Sequence, residues 1–325
     1  MNETIFLILK KLSHTQFSDG ITISNTLGIT RAAVWEAIQK LKNDYHLEIE
    51  SHGLYGYKLK LPLIMLGQAK ILAGIESKNV LVECLSSVDS TNTYLQNLTL
   101  KSDYHICMAE QQIKGKGRFE RAWSSAFSEN LYYSLKVSLQ KELSELSGLS
   151  LAVAVSVAKV LSYKYPTLDI KIKWPNDIYI NGRKLSGILI EVKTVSSAQI
   201  QIVIGIGINV NMQKSDEISQ DWTSLINELN DYIDRNELAI NITNKLIHTL
   251  QLFERNDFSY FIDDYTYYDY LKGKTIGLKI LNKEIIIGIA NGVNILGELK
   301  LKIGDSEQEF SSGEASIIKK AGLYI

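Results

Sequence analysis

The first 61 residues contain three segments whose apolar positions recur with helical spacing, followed by a short extended pair. The segment "NETIFLILKKL" predicts a first helix, and "TISNTL" predicts a second helix that ends in a turn at Gly28. The segment "TRAAVWEAIQKLKND" predicts a third helix, with Thr30 as its N-terminal cap. The run "LEIESHGLYGYKL" then alternates about a glycine-containing turn, as a β-hairpin does. This order of elements predicts a winged helix-turn-helix.

The third helix has an outer face that could contact DNA, because its apolar residues follow i, i+4 and i+8 spacing. The candidate DNA-binding residues are Thr30, Arg31, Trp35, Glu36 and Gln39. The helices alone fit a protein-binding module equally well, and the hairpin favours DNA. Positive and negative charges nearly balance in this segment, so its attraction to phosphates is weak. We therefore expect a homodimer on a two-part operator.

From Pro62 to about residue 270 the sequence contains both strand-like and helical runs, and they do not alternate strictly. Strand-like runs come in consecutive groups, and the two longest helical runs are "SGLSLAVAVSVAKVLSYKY" and "NELAINITNKLIHTLQLFERN". Grouped strands favour an α+β fold over a doubly wound parallel sheet. After Gly273 only short strand patterns follow, which predicts a small β-barrel. The predicted domains are residues 1–62, 63–271 and 272–325.

Composition narrows the class of protein. The 325 residues carry 35 Lys and Arg against 36 Asp and Glu, and this balance excludes a uniformly basic nucleic-acid-binding protein. Two distant cysteines and five scattered histidines predict neither a disulfide framework nor a protein-held metal. The uncharged stretch Leu146–Ala158 is shorter than the ~20 residues that span a bilayer, and the N-terminus has no signal-peptide cleavage site. We expect a cytoplasmic protein without a membrane partner.

A basic, glycine-rich stretch, "GKGRFERAW", occupies residues 115–123. Gly115 and Gly117 allow the backbone to approach a ligand closely. Lys116, Arg118 and Arg121 would supply charge and hydrogen-bond donors to a phosphate or a carboxylate. The stretch lacks the G-x-x-x-x-G-K-[ST] pattern of a P-loop. By itself, it fits an exposed basic turn as well as an anion-binding loop.

A second candidate motif is "KIKWPNDIYINGRKLSGILIEV", residues 171–192. Asn176 and Asp177 place an amide and a carboxylate at a strand end, and Lys184 begins an apolar strand in which Gly187 leaves room for a ligand. A lysine here could neutralise negative charge that develops on a phosphate or a carboxylate. A hairpin with a polar turn is the alternative. Two weaker motifs are "VDSTNTYL" at 88–95, which could cap a helix, and "GIGINVN" at 205–211, which lacks the third glycine of a dinucleotide-binding fingerprint.

Taken together and in this order, the motifs resemble the bifunctional biotin–protein ligase and biotin operon repressor family over nearly the whole chain. The family's usual G-R-G-R-x-G-R-x-W stands here as "GKGRFERAW", whereas "DSTN", "KWPND" and "GRKLSGIL" are unaltered. The winged helix-turn-helix is typical of the regulatory class. The resemblance implies a central mixed-sheet ligase domain and a C-terminal SH3-like β-barrel.

The resemblance also implies roles for individual residues. Lys184, Asp177 and Arg118 would be catalytic. Biotin would contact Ser90, Thr91, Asn92, Gln112, Gly115, Lys116, Gly117, Arg118, Lys184 and Gly187. The nucleotide would contact Arg121, Trp123, Asn176, Asn209 and Trp222. Three positions depart from the family: Lys116 replaces an arginine, Glu120 replaces a glycine, and Ile318 stands where an arginine is common.

The implied activity uses ATP, Mg²⁺ and biotin to make biotinyl-5'-AMP and then to biotinylate a lysine of the biotin carboxyl carrier protein of acetyl-CoA carboxylase. The implied regulatory partner is the operator DNA of biotin synthesis genes, bound by an adenylate-loaded homodimer. A lipoate ligase of the same broad architecture is one alternative, and the winged helix and "GRKLSGIL" disfavour it. A repressor that only senses biotin is another, and the intact Lys184 and Asp177 disfavour it.

Overall fold

The computed structural model describes residues 3–196, 199–280 and 284–318. The N-terminal part is three helices and a two-stranded antiparallel sheet: α1 Glu3–Leu9, α2 Gly20–Leu27, α3 Arg31–Asn43, β1 Ile49–His52 and β2 Gly56–Leu59.

Local caps explain where these helices begin and end. The Asp19 carboxylate accepts a hydrogen bond from the Thr22 N–H and begins α2, and Gly28 ends α2 in the left-handed conformation. The Thr30 hydroxyl accepts a hydrogen bond from the Ala33 N–H, which confirms Thr30 as the cap of α3.

A seven-stranded mixed sheet forms the centre of the molecule, in the order β3-β4-β5-β9-β8-β7-β6. The β3–β4 pair is parallel, and the other neighbouring pairs of this sheet are antiparallel. This arrangement confirms the predicted α+β class with a central mixed sheet. The strands are β3 Val80–Leu85, β4 Tyr104–Ala109, β5 Leu131–Leu139, β6 Ile170–Lys173, β7 Asp177–Ile180, β8 Arg183–Ser196 and β9 Gln199–Ile208.

Helices cover both faces of this sheet. The long helices α6 and α8 pack on one face, over the main apolar core, and the short α5 packs on the other against Cys107 and Val203. Apolar patterning predicted the long helices, whereas α4, α7 and α9 were not predicted, because each is only five to seven residues long. The helices are α4 Gln68–Gly74, α5 Thr91–Gln96, α6 Leu149–Lys164, α7 Leu225–Leu229, α8 Arg235–Asn256 and α9 Ile262–Tyr268.

The C-terminal part is a five-stranded antiparallel sheet in the order β13-β12-β11-β10-β14. Its buried side chains belong to the same apolar core as the main sheet, and the Trp174 indole donates a hydrogen bond to the Gly297 carbonyl across the junction (3.0 Å). The strands are β10 Thr275–Lys279, β11 Ile286–Val293, β12 Leu299–Ile303, β13 Ser306–Phe310 and β14 Glu314–Ile317.

The basic loop, residues 115–123, is followed by a segment that packs against the N-terminal part of the protein. Phe127 is buried in the apolar cluster of the three helices, where its ring meets the edge of Tyr45 at 5.1 Å between centroids. Leu63 and Met65, beyond the predicted boundary at residue 62, pack on the same cluster. The loop and the N-terminal part therefore share a core.

One helical stretch, Leu143–Lys164, is long and apolar enough to cross a membrane by length and composition. The length argument applied to Leu146–Ala158 is therefore insufficient, because the helical stretch extends beyond the uncharged residues. Most of the stretch is buried inside the protein, against α8 and the main sheet, as expected for a core helix.

Candidate active site

One cleft, with a volume of about 1630 Å³, lies on the α5 face of the main sheet. It brings together every residue that the resemblance assigned to ligand binding or catalysis: Ser90, Thr91, Asn92, Gln112, Gly115, Lys116, Gly117, Arg118, Arg121, Trp123, Asn176, Asp177, Lys184, Gly187, Asn209 and Trp222. The candidate DNA-binding residues lie elsewhere, on α3 and at its N-terminal cap, Thr30.

Strand alternation creates the floor of this cleft. Along β9 the isoleucines point into the main core, so that Gly205 and Gly207 face the cleft. Gly187 of β8 pairs directly with Gly207. The three glycines leave a flat surface on which other side chains rest.

The indole of Trp123 lies on this floor. A Cβ at Gly207 would come within 2.6 Å of the ring, and a Cβ at Gly187 within 3.1 Å. The Lys184 ammonium is 5.6 Å from the ring centroid, and the indole N–H is buried without a hydrogen-bond partner. Trp123 thus connects the basic loop to the floor and to Lys184.

The start of α5 forms one wall of the cleft. Ser90 caps the helix by accepting a hydrogen bond from the Thr93 N–H. Both the N–H and the hydroxyl of Thr91 donate to Oε1 of Gln112, at 2.9 and 3.0 Å. These bonds leave the Gln112 amide group at the surface of the cleft, near Ser125.

Asn92 is buried and fully engaged within the protein. Its amide nitrogen donates to the Glu191 carboxylate (2.7 Å), and its amide oxygen accepts from the Ser134 hydroxyl (2.6 Å). Gly205 makes room for it, since a Cβ there would come within 2.5 Å of the amide oxygen. This geometry supports a bracing role for Asn92 more than a direct ligand contact.

The basic stretch folds as a tight hairpin over the cleft. The Trp123 N–H donates to the Gly115 carbonyl (2.8 Å), and the Gly117 N–H donates to the Arg121 carbonyl (2.7 Å). At the tip, Glu120 has a φ of 56°, a conformation that costs a non-glycine residue about 1–2 kcal/mol. The family's usual glycine would adopt it freely.

Two of the departures from the family pattern meet in this hairpin. The Lys116 ammonium lies 2.6 Å from the Glu120 carboxylate. This contact also raises the pKa of Lys116. The pair is exposed, so it contributes little to stability. It nevertheless shows that the negative charge of Glu120 is met by the lysine that replaces the usual arginine.

Lys184 and Asp177 form the centre of the cleft. The Lys184 Nζ is 2.9 Å from Asp177 Oδ2, and the two side chains are 15% and 19% exposed. The other oxygen, Oδ1, is buried and has no hydrogen-bond partner. Because Lys184 contacts only Oδ2, Oδ1 can accept a hydrogen bond from a ligand.

Arg118 reaches from the loop towards this pair. Its guanidinium donates a long hydrogen bond to the Asn176 amide oxygen (3.4 Å), and Asn176 is held by a bond to the Ile188 carbonyl (2.7 Å). Burial lowers the pKa of Arg118, and the nearby Asp177 and Glu314 carboxylates partly offset the effect. A poorly solvated cation of this kind binds an anion strongly.

Two of the residues assigned to the nucleotide, Arg121 and Asn209, have protein partners. Arg121 makes a two-pronged ion pair with Glu314 of β14, at 2.7 and 2.8 Å. The Asn209 amide nitrogen donates to the Thr223 carbonyl (3.0 Å), which holds the segment that carries Trp222 beside Lys184. Ile318 continues β14 through a backbone bond to Thr275.

Sequence reasoning missed one cleft residue, Lys173, and two residues that hold Asn92 from behind, Ser134 and Glu191. Lys173, whose pKa burial lowers, lies across β6–β7 from Asp177 and donates a hydrogen bond to the Tyr179 hydroxyl (3.2 Å). Ser134 and Glu191 brace Asn92. The available signals were weak: Ser134 interrupts an apolar strand, and Glu191 is the first charge after "LSGILI".

In the part of the chain that the structure describes, no group of three or more His, Cys, Asp or Glu side chains could hold a metal ion.

The candidate DNA-binding residues lie on α3 and at its N-terminal cap. Arg31, Glu36 and Trp35 are exposed, the indole being 56% accessible, and Gln39 is half-buried. The Thr30 hydroxyl is used by the helix cap.

The sequence and the fold match one class of enzyme. Residues 84–209 match the model of the biotin/lipoate A/B protein ligase family. Among solved structures, the biotin protein ligase of Aquifex aeolicus in complex with biotin and ATP is similar, with a TM-score of 0.63 and 26% identity, covering 73% of this chain and 97% of that one.

Relatives of full length narrow the class further. The bifunctional ligase/repressor BirA of Salmonella typhimurium is 35% identical over 314 residues, 95% of this chain and 96% of the relative. The protein of the same name from Bacillus subtilis is 30% identical over 286 residues, 86% of this chain and 82% of the relative. The chain belongs to the family of bifunctional biotin ligase/repressor proteins.

Proposed function

We propose that the chain is an ATP-dependent biotin–protein ligase that also represses transcription. The observation that carries the enzymatic half is the Lys184–Asp177 pair, set under a basic hairpin and beside a flat glycine floor. Biotin and ATP are the substrates, by analogy with the ligand-bound Aquifex relative.

In the first half-reaction, a carboxylate oxygen of biotin attacks the α-phosphorus of ATP. A new P–O bond forms, the bond to the bridging oxygen breaks, and pyrophosphate leaves with its electron pair. Lys184 and Arg118 stabilise the negative charge that accumulates on the α-phosphate. The basic hairpin excludes water from the resulting mixed anhydride.

In the second half-reaction, the amine of a carrier lysine attacks the acyl carbon of biotinyl-5'-AMP. An amide bond forms, the acyl–oxygen bond breaks, and AMP leaves. The amine loses one proton to solvent, and Asp177 Oδ1, buried and unpartnered, accepts a hydrogen bond from the amine and orients it. No covalent enzyme intermediate is required.

Mg²⁺ has no protein site in this proposal. The described residues include no group of three or more His, Cys, Asp or Glu side chains that could hold a metal ion, and we derive no step through a protein-bound ion. A divalent ion that accompanies ATP would be held by the triphosphate.

The biotin subsite lies by α5 and the nucleotide subsite by Trp123, Asn176, Asn209, Trp222 and the Arg121–Glu314 pair. Residues 1–62 form a winged helix-turn-helix, 63–271 the ligase domain, and 272–325 an SH3-like barrel, in a cytoplasmic protein. A lipoate ligase is the weaker candidate, because the full-length relatives are ligase/repressors.

A direct experiment tests the enzymatic half. The protein is incubated with ATP and biotin, without carrier, and biotinyl-5'-AMP and pyrophosphate are measured. Both should form in equal amounts, and omission of biotin should abolish pyrophosphate release. ATP cleavage that does not depend on biotin would contradict the proposal.

Gly207→Ala tests the role of the floor. The added Cβ, 2.6 Å from the indole, pushes Trp123 off the floor, and we expect about a tenfold weaker affinity for biotinyl-5'-AMP, the effect of about 1.4 kcal/mol of overpacking. Calorimetric titration measures it. Gly53→Ala, whose Cβ meets nothing within 4 Å, is the control and should bind normally. An unchanged affinity in Gly207→Ala would show that the floor is not used.

The regulatory half predicts that biotinyl-5'-AMP promotes homodimerisation and tight binding to operator DNA. The near balance of charge in residues 1–61 makes one copy bind weakly, and Phe127 connects the basic loop to the N-terminal core. The coupling is reciprocal, so operator DNA should tighten adenylate binding by the same factor.

Sedimentation of the protein and operator DNA with and without biotinyl-5'-AMP, at several salt concentrations, measures homodimerisation and operator binding. Arg31→Ala should weaken operator binding and leave dimerisation unchanged. A protein that stays monomeric and binds the operator equally with and without adenylate would refute the regulatory half.

A further inference from the structure

Lys173 is a cleft residue to which the two half-reactions described above assign no role. It lies on β6, directly opposite Asp177 of β7, and both side chains line the cleft. The Lys173 ammonium donates a hydrogen bond to the Tyr179 hydroxyl (3.2 Å) and lies 4.9 Å from the centroid of the same ring. Within the described part of the chain Lys173 forms no ion pair, whereas Lys184 is held by the Asp177 carboxylate.

The Tyr179 hydroxyl is a suitable partner for a lysine that gains and loses a proton. A hydroxyl can accept a hydrogen bond from an ammonium and can donate one to a neutral amine, whereas a carboxylate can only accept. Tyr179 is buried, and burial raises the pKa of its phenol, so the hydroxyl keeps its own proton. Lys173 therefore has a hydrogen-bond partner in both of its protonation states.

The surroundings of Lys173 make its ammonium a weaker base than that of an exposed lysine. Burial lowers the pKa of Lys173, and the neighbouring Lys184 ammonium lowers it further. The carboxylates of Asp177 and Glu314 oppose this shift without cancelling it. A lysine whose pKa is lowered in this way can take part in proton transfer closer to neutral pH.

The position of Lys173 in the main sheet places it away from the biotin subsite. The proposed biotin head group lies by α5, which packs over β4, β5 and β9. Lys184 and Asp177 follow on β8 and β7, and Lys173 is on β6, the last strand in that order. A carrier lysine that reaches an acyl carbon beside Lys184 therefore has the biotin head group on its α5 side and Lys173 on the other.

We propose that Lys173 is the general base of the transfer half-reaction: its neutral amine takes the proton that the ammonium of the carrier lysine must lose before it can attack. The inference rests on the proposed function. A free lysine side chain has a pKa of about 10.4 and is protonated at neutral pH. In that form its nitrogen has no lone pair with which to attack the acyl carbon.

The proton passes from the carrier nitrogen to Lys173 Nζ, which becomes an ammonium and donates its hydrogen bond to Tyr179, as in this structure. The freed amine, hydrogen-bonded to Asp177 Oδ1, forms the bond to the acyl carbon, and AMP leaves with the electron pair of the acyl–oxygen bond. The new amide nitrogen releases its second proton to solvent. Lys173 returns to its neutral form by giving the first proton to solvent.

Lys173→Met removes the base and keeps most of the side-chain volume. We expect single-turnover transfer from preformed biotinyl-5'-AMP to an apo carrier domain to slow by about 100-fold near neutral pH, and this loss to exceed any loss in adenylate formation by a similar factor. The deficit should shrink towards about pH 10, where the carrier lysine loses its proton unaided. Lys171→Met is the matched control on the same strand, paired with Asp169 outside the cleft (3.4 Å), and should transfer biotin at the wild-type rate.

Two further measurements separate proton transfer from charge and from positioning. Lys173→Arg keeps a positive charge but supplies a group that is not deprotonated in proteins, so it should transfer biotin as slowly as Lys173→Met. Hydroxylamine is an uncharged nucleophile at neutral pH and needs no base before it attacks. The Lys173→Met protein should therefore convert its bound adenylate to biotin hydroxamate and AMP at about the wild-type rate.

The outcomes distinguish the two levels of the proposal. Failure of the wild-type protein to form biotinyl-5'-AMP or to label the carrier would refute the proposed function itself. Wild-type transfer by Lys173→Met, recovery in Lys173→Arg, a deficit that is the same at every pH, an equally slow reaction with hydroxylamine or a parallel loss of adenylate formation would overturn the role of Lys173 alone. A pH-dependent loss of transfer in both variants, with a normal hydroxylamine reaction, supports it.

Discussion

Replacement of Lys184 by alanine should reduce the rate of adenylate formation by at least about 100-fold, and the protein should remain folded. Lys184 lies 2.9 Å from Asp177 in the centre of the cleft and is only 15% exposed. Removing a donor that acts on charge developed in the transition state costs about 3 kcal/mol, and each ~1.36 kcal/mol is a factor of ten in rate.

Single-turnover formation of biotinyl-5'-AMP at saturating ATP and biotin measures this effect. Lys171→Ala is the control, because Lys171 is on β6, paired with Asp169 outside the cleft (3.4 Å). Its rate should equal that of the wild type. A Lys184→Ala protein that forms adenylate at a near wild-type rate would remove Lys184 from the mechanism.

Replacement of Arg235 by methionine should lower the free energy of unfolding by about 3–5 kcal/mol, the cost of breaking a buried ion pair. Arg235 is fully buried and lies 2.7 Å from Glu110. Its guanidinium also donates to the Ile64 carbonyl, the Asn130 carbonyl and the Ser128 hydroxyl. Glu110 in turn accepts from the Leu66 N–H (2.6 Å).

These contacts hold both ends of the basic loop and the segment that follows residue 62. Residues 110 and 128 flank the loop, and the Ser128 N–H donates to the Glu110 carbonyl (2.8 Å). We therefore expect Arg235→Met to weaken adenylate binding as well. Urea unfolding with Arg255→Met, an exposed residue of the same helix, as control measures the stability effect. A loss below about 1 kcal/mol, well short of the cost of a broken buried pair, would show that the pair is dispensable.

Much of the fold could be predicted from periodicity. The alternating runs of the main sheet and the long apolar helices gave strong signals, because each buries a continuous face. The two glycines of "GIGINVN" gave no such signal. Their role depends on Asn92 and Trp123, which pack against them from distant parts of the sequence. Spacing along one strand contains no information about such neighbours.

The motifs predicted the residues of the candidate site. They did not predict the hydrogen bonds that hold these residues in place. Lys184 and Asp177 stand close in the sequence, on one hairpin, so their contact could be anticipated. The chain of hydrogen bonds from Glu191 through Asn92 and Ser134 joins residues that are 42 and 99 positions apart. The packing of Phe127 in the N-terminal core similarly requires the folded chain, and spacing along the sequence does not reveal it.

Transfer of labelled biotin to a carrier protein is the most direct test of the central claim. The full chain is incubated with ATP, labelled biotin and an apo biotin carboxyl carrier domain, and the carrier is isolated under denaturing conditions. The account predicts a covalent label on one carrier lysine, dependent on ATP, and absent when Lys184→Ala replaces the wild type. A folded wild-type protein that binds biotin and ATP but leaves the carrier unlabelled would contradict it.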